Sequence, residues 1–348
     1  MIKALPLFAA CTGILAASLT ACASQKDRQN DGTGDTEYRN PIIGKSIPDP
    51  TAIRVKDGTF YLYGTEDTRN IPVYKSEDMV NWTFVGTAFS DDTRPSWDGN
   101  HSLWAPEIRY IDGKYVLYYS WARWGVEWES NVGVAVSASP EGPFTDLGCL
   151  VDANAEDIMV QNSIDQFHFQ DKGKHYLFWG SFHGIYVTEL EKDGLSIKRK
   201  ADGTPVLKKQ VCGSAFEAVN IYKKGKYYYL LASVGTCCEG AASTYKTVVG
   251  RSTNVLGPYV DRNGKDMMDN AYETVVQGNS KWAGTGHNSI ILKDDASQEW
   301  IIYHGYLRDQ ADKGRVVLMD KLLWSEDGWP YVEGYAPSVL SEKPVINR

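Results

Sequence analysis

One strand grammar recurs five times in this chain, and each copy opens on a polar residue. The middle copy shows it best. Ser163-Ile164-Asp165-Gln166-Phe167-His168-Phe169 leads into a Gly173-Lys174 hairpin turn, a second strand Tyr176-Leu177-Phe178, and a third over residues 180–186. The first copy is headed by Pro48-Asp49-Pro50 and the second by Trp104-Ala105-Pro106-Glu107. The fourth opens on Phe216-Glu217-Ala218 and the fifth on Gly286-His287-Asn288. The heads Asp49, Glu107, Asp165, Glu217 and His287 follow one another at intervals of about 50–70 residues, room for one four-stranded antiparallel blade with its loops. A β-sandwich also has many short strands, but it does not explain a polar head on every repeat. The pattern predicts an all-β fold, a five-bladed β-propeller over residues 40–348, with the first residues of the innermost strands ringing a central channel.

Composition agrees with this reading. With 11 Trp, 21 Tyr, 10 Phe and 32 Gly in 348 residues, the chain suits a large all-β domain with many tight turns. A net charge of −8 argues against nucleic acid as a partner. No linker rich in Pro, Ser or Gly interrupts the chain after Asn40, so no second domain is expected. Two polar or aromatic loops, residues 87–102 and 121–131, belong at the rim of the channel, where a ligand would meet them.

The N-terminus reads as an export signal over residues 1–21: Lys3 precedes a run of apolar and small residues. Such a run is long enough to span a bilayer, but Leu19-Thr20-Ala21-Cys22 has the form of a bacterial lipobox. Cleavage would leave Cys22 as a lipid anchor and residues 22–39 as a flexible tether. The expected location is therefore extracytoplasmic, as a lipoprotein of the cell envelope. Of the remaining cysteines, Cys149, Cys212, Cys237 and Cys238 lack zinc-site spacing. A bond between the neighbours Cys237 and Cys238 would be strained, so buried thiols are expected.

Carboxylates aimed at one channel need a use, because burying like charges around an axis is costly. Singly, each is more often a structural acid. Together, Asp49, Asp165 and Glu217 suit glycoside hydrolysis, in which one acid stays protonated for the leaving oxygen while another stays ionised to activate water or attack. A third negative charge raises the donor's pKa. Trp and Tyr faces nearby would pack against sugar rings.

At these five heads the chain resembles glycoside hydrolase family 43, and within it the arabinanase branch. The branch resemblance rests on Gly180-Ser181-Phe182-His183-Gly184-Ile185, on Cys237-Cys238 followed by Ser243-Thr244-Tyr245, and on Val249-Gly250-Arg251-Ser252 with Gly257-Pro258-Tyr259. The resemblance implies an inverting hydrolase of α-1,5-linked arabinan, with Asp49 as base, Glu217 as acid and Asp165 as the carboxylate that sets the acid's pKa. It also implies that His287 holds calcium or a similar ion through waters, with no organic cofactor. Trp104, Phe182, His183, Cys237 and Arg315 are the implied substrate contacts. Glu107 lies outside the family's catalytic set and reads as a structural acid; His101, His168, His175 and His304 have no motif and read as solvated or packing residues. The chain departs from the branch at Gln166 and Val219, where Pro is usual, and at a shortened His183 loop without its Trp. Endo action is the leading expectation. An exo-acting α-L-arabinofuranosidase or β-xylosidase of the same family stays open, as does a binding propeller without catalysis.

Overall fold

A computed structural model describes residues 36–97, 99 and 101–347. The signal segment, Cys22 and most of the tether lie outside the described residues. Four blades are meanders of four antiparallel strands each, and the fourth joins the fifth through a parallel bridge between Lys246 and Thr285. Blade one comprises Thr51–Arg54, Phe60–Tyr63, Pro72–Ser76 and Trp82–Thr87; blade two Ser102–Ile111, Lys114–Ala122, Asn131–Ser137 and Thr145–Asp152. Blade three comprises Phe167–Asp171, Lys174–Trp179, Ile185–Leu190 and Lys208–Cys212; blade four Glu217–Lys224, Tyr227–Val234, Lys246–Ser252 and Glu273–Val276. In blade five the inner strand is split into Trp282–Gly286 and Leu292–Lys293. Both halves pair with Glu299–Leu307, which pairs in turn with Val316–Lys321.

The hairpin turns behind these meanders are written locally. Asp57-Gly58, Asp112-Gly113, Lys172-Gly173 and Lys224-Gly225 join first to second strands, and glycine supplies the positive φ in each. The second and third strands carry apolar side chains on both faces, because each blade is covered on both sides by its neighbours. The buried clusters reflect this, one for each blade interface. Leu62 and Phe60 meet Trp300 and Ile302; Tyr63 and Val73 meet Leu117 and Tyr119; Val116 and Tyr118 meet Leu177 and Trp179. Phe178 and Val187 meet Ile221 and Leu230, and Val249 and Leu231 meet Ile301 and Leu318. Each such fully buried large side chain contributes roughly 1.5–3 kcal/mol of transfer free energy.

The ring is closed by the start of the chain. Ile42 N–H donates to Val317 O at 2.9 Å, Ile47 N–H to Arg315 O at 2.9 Å, and the Asn40 side chain exchanges hydrogen bonds with Met319 at 2.9 and 3.0 Å. This shortens the expected tether. Glu37–Arg39 form a strand with Leu340–Glu342, and Tyr38 is fully buried against Trp300. A run without apolar periodicity is thus held by one aromatic anchor, whose hydroxyl donates to Met319 O at 2.6 Å.

Each innermost strand carries a left-handed residue in or beside it on the site side: Asp49 (φ 54°), Ala105 (φ 42°), Asp165 (φ 58°), Ala218 (φ 56°) and His287 (φ 51°). At blades two, four and five the pairing register also slips there, between Trp104 and Glu107, between Glu217 and Asn220, and between Ala283 and Gly286. Left-handed backbone at non-glycine residues is uncommon and concentrates where side chains must be re-aimed. Here the same distortion, made five times, marks the channel end that carries the site.

Candidate active site

Asp49 sits at the centre of the charged cluster. Its Oδ1 lies 3.0 Å from Arg315 Nη1, 3.2 Å from His287 Nδ1 and 3.3 Å from His304 Nδ1, and its Oδ2 accepts from Thr65 Oγ at 2.6 Å. Burial alone pushes this carboxyl up, but the Arg315 and His287 cations outweigh it and hold Asp49 well below the usual carboxylate range. His304 makes no ion pair here. Burial and the neighbouring cations push its pKa down to about 4, and its Nδ1 already accepts the Asp49 amide at 3.0 Å. His287 is the opposite case: burial pulls it down, yet Asp49, Asp165 and Glu217 together raise it to about 9.

Glu217 and Asp165 are pushed the other way. Burial, the nearby Asp49 charge and only partial compensation raise Glu217. The opposing influences are the Tyr245 hydroxyl, close but outside hydrogen-bond geometry, Ser181 Oγ, which donates to Oε2 at 2.7 Å, and the His287 charge. Burial first, then Glu217 and Asp49, raise Asp165 to about 7, against the pull of His287. Asp165 is tied down by the Ala218 amide at 3.1 Å, and its own amide donates to Ser120 Oγ at 3.1 Å. Three buried carboxyls in one channel are therefore sorted into one held low and two pushed high.

Glu107 is braced elsewhere. It pairs with Arg109 and accepts from Thr51 Oγ at 2.8 Å, while Arg109 also donates to His168 O at 3.1 Å. This links blades one, two and three and agrees with the reading of Glu107 as structural.

The expected substrate contacts are dispersed around the mouth. Trp104 stands between the partners of two acids: Ala105 N–H donates to Thr65 Oγ at 2.8 Å, and Trp104 is in register with Ser120. Phe182, φ 54° and 36% exposed, follows Ser181 directly. Arg315 is engaged by Asp49. His183 reaches across to Glu127 Oε2 at 2.9 Å. Cys237 is bonded to Cys238, so the expectation of thiols there is corrected. Their Cα atoms are 3.8 Å apart in a loop curled tight by Thr236 and Thr244, whose backbone amides and hydroxyls bond one another at 3.0–3.2 Å. Of the other two, Cys212 is buried as expected and Cys149 is exposed, on the outer strand of blade two.

Thr65, Ser181, Ser120, Tyr245 and His304 are the site residues missed by sequence reasoning. His304 is fully buried, stacked on Tyr245 with ring centres 5.7 Å apart, and not solvated; its place on the strand paired with the one before His287 has no local signal. Thr65 and Ser181 each follow the second strand of their blade, a positional signal that repeats. His101, His168 and His175 are buried too, the last two bonded to each other at 2.9 Å.

An ion beside His287 fits the donor set in one form. Asn288 Oδ1 and Thr285 Oγ, flanking His287 in sequence, are buried oxygens without a hydrogen-bond partner, and hard cations take oxygen donors. Among the described residues no three His, Cys, Asp or Glu side chains form a cage. An ion held there would thus keep much of its water shell.

The comparisons agree with the fold. The family model described as "Glycosyl hydrolases family 43" matches residues 38–330. The extracellular exo-alpha-(1->5)-L-arabinofuranosidase of Cellvibrio japonicus is 33% identical over 309 residues, 82% of this chain and 86% of the relative. The extracellular endo-alpha-(1->5)-L-arabinanase 1 of Bacillus subtilis is 34% identical over 296 residues, 82% of this chain and 87% of the relative. The solved alpha-L-arabinanase of Cellvibrio cellulosa complexed with arabinohexaose superposes with a TM-score of 0.70 at 30% identity, covering 83% of this chain and 98% of that one. The family match covers all five blade heads, and the chain belongs to glycoside hydrolase family 43.

Proposed function

We propose that this protein hydrolyses α-1,5-linked L-arabinan by a single displacement with inversion. The observation that carries the proposal is the split among the buried carboxyls: Asp49 held low by Arg315 and His287, Glu217 and Asp165 held high. Asp49 takes a proton from the water that attacks the anomeric carbon. Glu217, with Ser181 donating to Oε2, keeps Oε1 for the proton it passes to the departing sugar oxygen. Asp165 keeps that proton from being lost near neutral pH and, through the Ala218 amide, fixes the backbone beside Glu217. A hydrated cation near His287, Asn288 and Thr285 would supply further positive charge to the acid cluster.

Arabinan as substrate is supported by the names of both relatives and by the arabinohexaose bound in the Cellvibrio structure. Both relatives are also named extracellular, which supports export, with Cys22 as the proposed lipid anchor. Endo cleavage is the leading mode. Exo cleavage is the second reading, favoured by the bond between His183 and Glu127, which straps two rim loops together on one side of the mouth. On linear arabinan, mixed oligosaccharides are expected at the earliest times. Arabinose alone from the start would establish the exo reading instead, and no release of sugar at all would remove arabinan as the substrate.

A further inference from the structure

Tyr245 brings a buried hydroxyl to the acid cluster that neither base nor acid engages. Its side chain is 1% exposed, and among the described residues its hydroxyl has no hydrogen-bond partner. A buried Tyr normally finds one, because an unmade bond costs more than a typical bond returns. The acid it approaches is Glu217. Each shifts the other's titration, yet the hydroxyl stands outside hydrogen-bond geometry.

The ring is held there by packing. It stacks on His304 with planes at 14°, and a Cβ at Gly286 would lie 2.3 Å from its Cδ1, so the ring fits only against glycine. Its backbone N–H donates to Thr236 O at 3.2 Å, at the neck of the loop that carries the Cys237–Cys238 bond. Directly after it runs Lys246–Ser252, the third strand of blade four. Ser233 on the second strand is in register with both Glu217 and Thr247, which brings the start of the third strand beside the acid.

The state of Glu217 gives the idle hydroxyl a use. While Glu217 carries its proton, Ser181 Oγ already fills Oε2 at 2.7 Å. When that proton passes to the departing sugar oxygen, the glycosidic C–O bond breaks with its electron pair on that oxygen. The carboxylate left behind accepts more hydrogen bonds than the acid did. A donor to it makes a charge-assisted bond, about twice as strong as a neutral one. A hydroxyl unpaired before this step and paired during it favours the transition state over the bound substrate.

We propose that Tyr245 is a positioning residue for Glu217, whose hydroxyl closes onto the acid as its proton leaves and donates to the carboxylate so formed. Tyr245 keeps its own proton throughout. The inference rests on the reading of Glu217 as the acid and adds to it a donor used only in the transition state.

Tyr245→Phe keeps the ring, its stack on His304 and its fit against Gly286, and removes only the oxygen. On linear arabinan kcat is expected to fall roughly 10- to 100-fold with KM unchanged, the worth of one donor to a charged group. The aryl substrate para-nitrophenyl α-L-arabinofuranoside, whose leaving group needs no proton, should change little. The alkaline limb of the pH profile should move upward, because a donor that favours the Glu217 carboxylate is gone while Asp49, Asp165, His287 and Ser181 stay in place. Thermal stability should hold or rise, since no resting hydrogen bond is lost. Unchanged kcat on arabinan overturns the proposal, as does an equal loss on both substrates with the limb in place. A fall in Tm overturns it too, by showing the hydroxyl already paired in the resting protein. Intact arabinan hydrolysis in Glu217→Gln would instead remove the acid assignment itself, and the proposal with it.

Discussion

Replacement of Glu217 by Gln is expected to lower kcat on linear arabinan by roughly 10²- to 10⁴-fold, the usual worth of a positioned general acid. Gln keeps the shape of the protonated acid and can still accept from Ser181 at Oε2's position, so the fold should be intact. The loss should depend on the leaving group. A sugar alkoxide needs the proton, whereas para-nitrophenolate leaves without it, so the aryl glycoside should be far less affected. The pH profile should change as well. In the wild type the Asp165–Glu217 pair favours a proton, raised by burial and by Asp49, with Asp165 at about 7. Raising the pH through the elevated range of Glu217 strips that proton and removes the acid, which gives a falling alkaline limb; Gln has no proton to lose, and the limb should vanish in the variant's residual activity. Equal losses on both substrates, with the limb retained, would assign the acid to another residue.

Replacement of Asp49 by Asn should cost a similar roughly 10²- to 10⁴-fold, but on both substrates alike, because water must be activated whatever departs. It should also weaken the fold. Arg315 and His287 lose the anion that neutralises them, and breaking a buried pair from one side typically costs about 3–5 kcal/mol. Asp49 is depressed in the folded state, so its contribution is fully present above the unfolded carboxylate range and is lost as pH falls through the folded value. The stability gap between wild type and variant, measured by thermal denaturation, should therefore be wide at neutral pH and close in acid. A gap that persists in acid would mean that packing, not charge, was lost.

The blade heads were legible because one backbone event, a left-handed residue near the head of each inner strand, recurs five times. The acid or histidine is that residue at Asp49, Asp165 and His287, and lies within two residues of a left-handed alanine at Glu107 and Glu217. Asp49, Glu217, Asp165 and His287 all converge as that regularity demands. What escaped is what depends on neighbours across the ring. His304 belongs to the second strand of the last blade and meets Asp49 only because the ring closes. Thr65 and Ser181 are ordinary hydroxyls until the loop geometry aims them at carboxylates. The Glu37–Arg39 strand depends on a partner at the far end of the chain, and the Cys237–Cys238 bond on a loop curl that strain arguments about an isolated dipeptide cannot anticipate. His183, expected at the substrate, is drawn to Glu127 by a loop whose fold sequence spacing does not encode.

The proposed division of labour, Asp49 as base and Glu217 as acid, requires water to arrive opposite the departing oxygen. The configuration of the sugar released first, followed by proton NMR before mutarotation, tests this most directly. From an α-L-arabinofuranosyl linkage the β anomer should appear first and then equilibrate. The α anomer appearing first would mean that a carboxylate attacks the sugar itself, and would contradict the assignment of Asp49 as the base.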